Sequence, residues 1–245
     1  MINLIRNNPF IYEKLRGLYR TLRPPEVEGK LNSLLKGKDT GFFLQVGSND
    51  GLQGDPLRNF ILKNKRWQGI FVEPVPFIFE RLKKNYRNSE RFIFENVAIS
   101  DTKGTFSFYH ISEKAKQEWG GELPIWYDQM GSFDKEHLLK HFVTDEFRPL
   151  RSYVVERKVE TTTVHDLLER NGMSRLDLLH IDTEGFDYKV LSQVNFSKCK
   201  PSVILYEHLH LSKEEKRAGE SLLSENGYQF ITYDVDTLAW LPQNS

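Results

Sequence analysis

Phe42-Phe43-Leu44-Gln45-Val46-Gly47-Ser48-Asn49-Asp50-Gly51 reads as a buried strand running into a glycine-bracketed turn that carries an acid. A second apolar run, Ile70-Phe71-Val72, ends in Glu73, 22 positions after Gly51. Strand, glycine turn, helix, strand and acid is the order of a nucleotide-binding βαβ unit. In such units the turn lets backbone amides approach a ligand, and the acid accepts hydrogen bonds from a ribose diol. The turn lacks the Gly-x-Gly core of the dinucleotide fingerprint. An acid such as Asp50 is unwelcome beside a pyrophosphate. It is welcome beside a cation, and S-adenosylmethionine (SAM) carries a sulfonium and an ammonium.

Beyond this unit, apolar strands keep alternating with helical segments. Strands are expected at 42–47, 69–73, 92–97, 105–110, 155–160, 177–182, 202–207, 228–233 and 237–241. Helices are expected at 55–64, 76–86, 134–141, 163–170, 186–193 and 212–225. Leu178-Leu179-His180-Ile181 and Val203-Ile204-Leu205-Tyr206 are apolar without alternation, which suits parallel strands covered on both faces. The fold expected is a doubly wound α/β sheet. A short turn near Asp234 and Asp236 implies a closing hairpin and an antiparallel edge strand.

Two segments depart from this rhythm. Residues 1–40 form an N-terminal helical extension in which basic residues outnumber acids. There Leu4, Ile11, Leu15, Leu18, Tyr19 and Leu22 recur at helical spacing, and Pro24-Pro25 ends the helix. That helix suits packing on the core, contact with a partner subunit in a dimer, or a peripheral membrane surface through 1–23. Residues 112–152 interrupt the catalytic-type domain, 41–245, with a charged and aromatic insertion containing Trp119, Gly120-Gly121, Pro124, Trp126 and Tyr127. Long connections of this kind are often functional, and this one reads as a cover over the ligand crevice, with 112–133 expected to be mobile without ligand.

The 245 residues suffice for one large domain, and 39% hydrophobic with 28% charged residues describes a globular protein. The formal net charge of zero gives no sign of a nucleic-acid partner. A single cysteine, Cys199, excludes an internal disulfide framework and a thiolate zinc cluster. A cytoplasmic setting is therefore expected. No apolar run approaches membrane-spanning length, and residues 1–14 lack the apolar core of a signal peptide.

Ligands of open α/β sheets sit beyond the carboxyl ends of the strands. The residues delivered there are Gly47 to Gly51, then Glu73-Pro74, then Asn96-Val97-Ala98. Asp182-Thr183-Glu184-Gly185 with Asp187 follow, and last Glu207-His208-Leu209-His210. Each also has a plain structural reading: Asp182 and Glu184 as helix-capping acids, Asn96 and Asp50 as turn residues, the histidines as core-edge side chains.

Taken together, Gly47-Ser48-Asn49-Asp50-Gly51, Val72-Glu73-Pro74, Glu95-Asn96-Val97-Ala98-Ile99-Ser100, Ser132 and His180-Ile181-Asp182-Thr183-Glu184-Gly185-Phe186-Asp187 resemble the FkbM family of SAM-dependent methyltransferases. The resemblance runs from about 41 to 233. It implies a class I methyltransferase fold, a Rossmann-like three-layer sandwich. Its seven-stranded sheet would be mostly parallel, with an antiparallel final strand. It implies that Gly47, Ser48, Asn49, Asp50 and Gly51 hold the methionine end of SAM, with Asp182 nearby. Glu73, followed by Pro74, would bind the ribose, and Asn96 and Val97 would line the adenine pocket. The acceptor implied is a hydroxyl on a sugar, glycan or natural product. Rival readings are an NAD-dependent oxidoreductase and an inactive SAM-fold binding module.

Methylation of a hydroxyl requires loss of a proton whose pKa lies far above 7, so a base or a metal is expected. Candidate bases are His208, His210 and Asp182, with a carboxylate near His208 raising its pKa. In an extended chain the two histidines would share a side. No metal ligand is assigned in the first reading. The alternative is Mg²⁺ on Asp182, Glu207 and Asp187, since this ion takes carboxylates.

Overall fold

The computed structural model describes residues 25–87, 89–119, 123 and 126–242. The amphipathic helix read over residues 4–22, the Gly120-Gly121 pair and Pro124 lie outside the described residues. Among those residues no helix is long and apolar enough to cross a membrane.

Among the described residues the first element is α1 (Pro25–Leu34). The helix that Pro24-Pro25 was expected to end lies outside the described residues, and Pro25 begins this one. A first-turn proline has no amide to leave unbonded and brings a helical φ. Val27, Leu31 and Leu35 repeat every four residues and are all buried against Phe43 and Trp67. Residues 25–35 are thus packed into the domain rather than extended from it.

A first sheet is built from β1 (Gly41–Val46), β2 (Trp67–Val72), β3 (Phe92–Glu95), β8 (Leu178–Ile181), β9 (Val203–Glu207), β10 (Gln229–Thr232) and β11 (Asp236–Trp240). Its order is β10-β11-β9-β8-β1-β2-β3. All pairings are parallel except those of β11, which runs antiparallel to both β9 and β10. This is the doubly wound, class I methyltransferase arrangement. The final strand is antiparallel as expected, but it is not the edge. Asp236 to Ala239 are buried, whereas β10 has mostly exposed residues. The apolar strand fills the slot, and the more polar one takes the solvent edge.

Alternation along the strands sorts the core into two layers. Phe43, Phe71, Leu178 and Leu205 point to the face covered by α1, α2 (Arg58–Lys63) and α3 (Pro76–Asn85). Leu44, Ile70, Leu179 and Ile204 point to the face covered by α6 (Val164–Arg170), α7 (Asp187–Leu191) and α8 (Lys213–Glu225). Burying each such side chain contributes ~1.5–3 kcal/mol. Both faces are dry, so these strands carry apolar residues at consecutive positions.

A second sheet was not anticipated. It has the order β4-β7-β5-β6, with β4 (Ala98–Ile99), β5 (Gly104–Ile111), β6 (Gly131–Ser132) and β7 (Val154–Thr162). The strand expected over 92–97 breaks at Asn96-Val97, where the chain leaves the first sheet and enters the second. β5 and β7 pair antiparallel over eight residues, from Gly104 with Thr161 to Ile111 with Val154. The insertion hangs from the Ile111 end of this ribbon. It contains α4 (Lys114–Glu118), β6, α5 (Lys135–Leu139) and a 3₁₀ turn, Arg148–Tyr153. It also has a core of its own. Trp126 stacks on Phe142 at 6.1 Å and meets Phe147 edge-on at 5.2 Å, with Ile111, Tyr127, Met130, Leu138 and Leu150 around them. Trp126 is therefore a packing residue. The insertion is tied to α3 by Arg81, which reaches Asp128 at 2.5 Å and Glu113 at 3.2 Å.

Candidate active site

A cavity of about 350 Å³ lies between the carboxyl ends of the first sheet, the second sheet and the insertion. One side comes from Gly47 and Asn49 after β1, Glu73 to Val75 after β2, and Val97 to Ile99. The other comes from Phe108 on β5, Asp128 to Asp134 and His137 from the insertion, and Asp182 to Phe186 after β8.

The glycine turn is held by its own amides. Gly47 N and Ser48 N both donate to Val72 O, at 3.1 and 2.9 Å. The Ser48 hydroxyl donates to Gln45 O at 2.9 Å and accepts from Val72 N at 3.1 Å. Ser48 thus clamps β1 to β2 and does not line the cavity. Gly47 has φ 74°, and a Cβ there would overlap the carbonyl oxygen of Asp182. Its glycine identity is demanded by the neighbouring strand turn rather than by a ligand. At Gly51 a Cβ would run into the Tyr86 ring and Leu82 of the α3 region. Asp50 was expected beside the cationic ligand. Its carboxylate instead accepts from Leu52 N and Gln53 N, at 2.9 and 3.1 Å, closing an Asx turn on the outer side. Of the five turn residues, Gly47 and Asn49 reach the cavity.

Glu73 is 5% exposed and faces the cavity. Its Oε2 accepts from Asn49 N at 3.0 Å and its Oε1 from Val75 N at 2.9 Å. Burial pushes its pKa up to about 7, against the two amides, which favour the charged form. The carboxylate is therefore oriented, and it is poised to ionise fully when further donors arrive. Asn96 is exposed and outside the cavity. Its amide donates to Glu73 O at 2.7 Å and Pro74 O at 3.1 Å, so it fixes the strand end while Val97 provides the wall.

Asp182, Thr183, Glu184 and Gly185 form a tight turn after β8. Glu184 sits at φ 58° and Gly185 at φ 104°. Asp187 stabilises this turn: its Oδ1 accepts from Thr183 N and its Oδ2 from Gly185 N, each at 3.0 Å. Burial raises the Asp187 pKa, with Glu207 and Asp182 adding to it. With both oxygens committed to backbone, Asp187 is poorly placed to serve as a Mg²⁺ ligand. The triad Asp182, Glu207 and Asp187 is not among the groups whose ligand atoms converge in the described residues.

His208 and His210 do not share a side. β9 ends at Glu207, and a turn closed by Leu211 N to His208 O at 3.2 Å separates the two. His208 is 7% exposed, its Nδ1 stands 3.0 Å from Thr237 Oγ1 on β11, and it does not line the cavity. Burial, with Lys216 adding to it, pushes its pKa down to about 4. This reverses the expected rise. His210 instead lies beside Glu184, Nε2 to Oε2 at 3.4 Å, and beside two histidines of the insertion. The rings of His137, His141 and His210 are mutually 5.2–5.3 Å apart.

His137 and His141 were not singled out from the sequence, although their spacing of four inside the expected 134–141 helix puts both on one face. Asp134 caps α5 by accepting from Glu136 N at 2.9 Å, which sets the direction of that face. On the other side, Ser212 and Glu215 form a capping box at the start of α8, fixing the chain just after His210.

A family model, the methyltransferase FkbM domain, matches residues 45–230. The 2-O-methyltransferase NoeI of Sinorhizobium fredii (strain NBRC 101917 / NGR234) is 26% identical over 188 residues, 74% of this chain and 70% of that protein. Among solved structures, precorrin-6y C5,15-methyltransferase from Geobacter metallireducens GS-15 aligns with TM-score 0.43 at 10% identity, over 88% of this chain and 87% of that one. The ribosomal protein L11 methylase of Lactobacillus delbrueckii subsp. bulgaricus aligns with TM-score 0.37 at 10% identity, over 86% and 75%. The strand order, rather than these distant likenesses, defines the fold.

Proposed function

This chain belongs to the FkbM family of SAM-dependent methyltransferases, and we propose that its acceptor is a hydroxyl on a sugar, glycan or natural product. The observation that carries the reading is the buried Glu73 carboxylate, fixed by two amides in a cavity wall and facing polar insertion residues across the same space. The residues fit SAM. Glu73 would accept from the ribose hydroxyls, Val97 and Ala98 would offer apolar surface to the adenine, and Gly47, Asn49 and Asp182 would surround the methionine end. When bound, SAM supplies an electrophilic methyl group, which passes to the acceptor oxygen as S-adenosylhomocysteine leaves.

The chain's own residues align the acceptor and receive its proton. Holding two reactants in line contributes ~7–11 kcal/mol in the best-oriented systems. Phe108, Phe133, Ser132 and His137 line the cavity and would form the acceptor end, apolar rings beside polar groups. The hydroxyl proton goes to that rim, where Asp182, Glu184 and His137 line the cavity. His208, neutral and turned toward β11, is outside this role. NoeI, by its name a 2-O-methyltransferase, supports oxygen as the acceptor atom.

Calorimetric titration with SAM and with NAD, followed by transfer of labelled methyl from SAM to saccharides and to polyketide-like alcohols, tests the reading. SAM binding with a labelled hydroxyl product is expected. NAD binding would favour the oxidoreductase. SAM binding with no methyl transfer to any hydroxyl would remove the O-methylation reading.

A further inference from the structure

The sheet tips and the insertion meet at a cluster of histidines and acids that nothing in SAM binding requires. His137 and His141 come from the insertion; Glu184, Glu207 and His210 come from the tips of β8 and β9. Two sets in this cluster each converge, with ligand atoms within 4.8 Å of one another: His137, His141 and His210, and Glu184, Glu207 and His210. His210 belongs to both, so the two sets share a corner.

We propose that His137, His141 and His210 bind a divalent first-row transition ion at the acceptor end of the cavity. Three imidazoles form a donor set for an ion of the zinc type, with a fourth position left for another ligand. Mg²⁺ and Ca²⁺ take oxygen ligands instead. Neighbouring ligands of a tetrahedral ion at ~2.0 Å stand about 3.3 Å apart. Ligand atoms within 4.8 Å of one another therefore need a small inward movement of side chains, not a rearrangement of the backbone. Glu184, from the second set, stands against His210. It is a buried non-glycine residue held at φ 58°. Such a conformation is costly for an L side chain and clusters where a side chain must be aimed. Here it is aimed at His210, 3.4 Å away.

The position gives the ion a role. His137 and Glu184 both line the cavity. An ion on the three histidines would therefore adjoin that space, where an acceptor hydroxyl could take the remaining coordination position. Coordination lowers the pKa of a bound hydroxyl and so eases proton loss at neutral pH. This catalytic part rests on the hydroxyl reading above, whereas binding of the ion does not. The ion would also join the insertion to the sheet, because its ligands come from both.

The test uses Zn²⁺ and Co²⁺ on the full chain stripped with chelator. Calorimetry with Zn²⁺ should give one site per chain. Co²⁺ should produce visible d–d absorption of a low-coordinate nitrogen-rich site. Zn²⁺ should raise the melting temperature. His141→Gln and His210→Gln should each weaken Zn²⁺ binding by ~100-fold or more, beyond the 10–100-fold typical of losing a group behind the ligands. His165→Gln, an exposed histidine on α6, should bind as the parent does. Absence of one-to-one binding in the folded parent overturns the site without any variant being needed. So does equal binding in both glutamine variants, with circular dichroism showing them folded. Metal binding without methyl transfer to any hydroxyl leaves the site standing and removes only its catalytic role. Methyl transfer unaffected by complete metal removal removes that role as well.

Discussion

Asn49 donates its backbone amide to the Oε2 of Glu73 at 3.0 Å, so the glycine turn and the acid at the end of the neighbouring strand hold each other in place. Glu73→Gln keeps the size but removes the charge and one acceptor. It should weaken SAM binding by ~1.5–3 kcal/mol, the range for hydrogen bonds to a charged group. Glu73→Ala is a poorer probe, because it would leave the amides of Asn49 and Val75 without this partner inside the wall. Calorimetry on the folded glutamine variant decides the matter; undiminished affinity would remove Glu73 from the ribose site.

The same residue predicts a pH dependence. Diol donors bond to the charged carboxylate, and the free Glu73 reaches that form only above about pH 7. SAM binding should therefore tighten as pH rises toward 7 and level off beyond it. Below 7 the dissociation constant should rise ~10-fold per unit. Glu73→Gln should flatten the profile. A flat profile in the parent would count against the assignment.

Gly47→Ala tests the contact between two strand turns. The left-handed φ alone costs ~1–3 kcal/mol with a side chain, and the new Cβ overlaps the Asp182 carbonyl oxygen. Stability and SAM affinity should fall together, read as melting temperature and binding constant on one sample. An alanine variant that melts and binds like the parent would refute the contact.

His208 should matter for stability and not for turnover. Its pKa in the folded chain is near 4, below the ordinary 6.5. The unfolded chain therefore takes up a proton first. Stability from this residue is complete above about pH 6.5 and is lost as pH falls toward 4. Glu73 acts in the opposite direction: its raised pKa favours the folded state at low pH and loses that contribution as pH climbs to about 7. Comparing His208→Gln with the parent isolates the histidine. The variant should lose less stability between pH 6.5 and 4, while kcat at pH 7.5 stays within a few-fold. A drop of ~10²–10⁴ in kcat would return His208 to the role of base.

Trp126→Ala should unfold the insertion locally. Removing a packed Trp costs ~3–5 kcal/mol, and here the loss falls on a core separate from the main sheet. Hydrogen exchange should quicken across 126–153 while β1, β2 and β8 stay protected. Uniform quickening of the whole chain would mean that the insertion is not a separate cooperative unit.

The central sheet was readable because parallel strands covered on both faces carry unbroken apolar runs, as at Leu178 to Ile181 and Val203 to Tyr206. The turn at Gly47 was readable for a related reason, since left-handed backbone favours glycine. The second sheet was hidden. β4 and β6 have two residues each, and β7, Val154 to Thr162, is largely exposed, so its sequence alternates weakly. Roles within the turn were hidden too. Ser48 and Asp50 are the residue types of a ligand loop, yet their side chains serve the backbone. The histidine cluster could not be read as a unit, because His210 lies 69 positions beyond His141 and only folding joins them. The spacing of His137 and His141 was the single local sign.

The ribbon that ends at Ile111 and Val154 gives the insertion neighbouring start and finish points. A segment rooted on adjacent ladder partners can be exchanged for a longer or shorter one without shifting either root. Doubling such a loop costs only ~0.6 kcal/mol in closure entropy. Glu73 and Gly47 sit on the other sheet, outside that exchange. In this architecture the insertion is built as a replaceable cartridge, and changing it leaves Glu73 and Gly47 where they are.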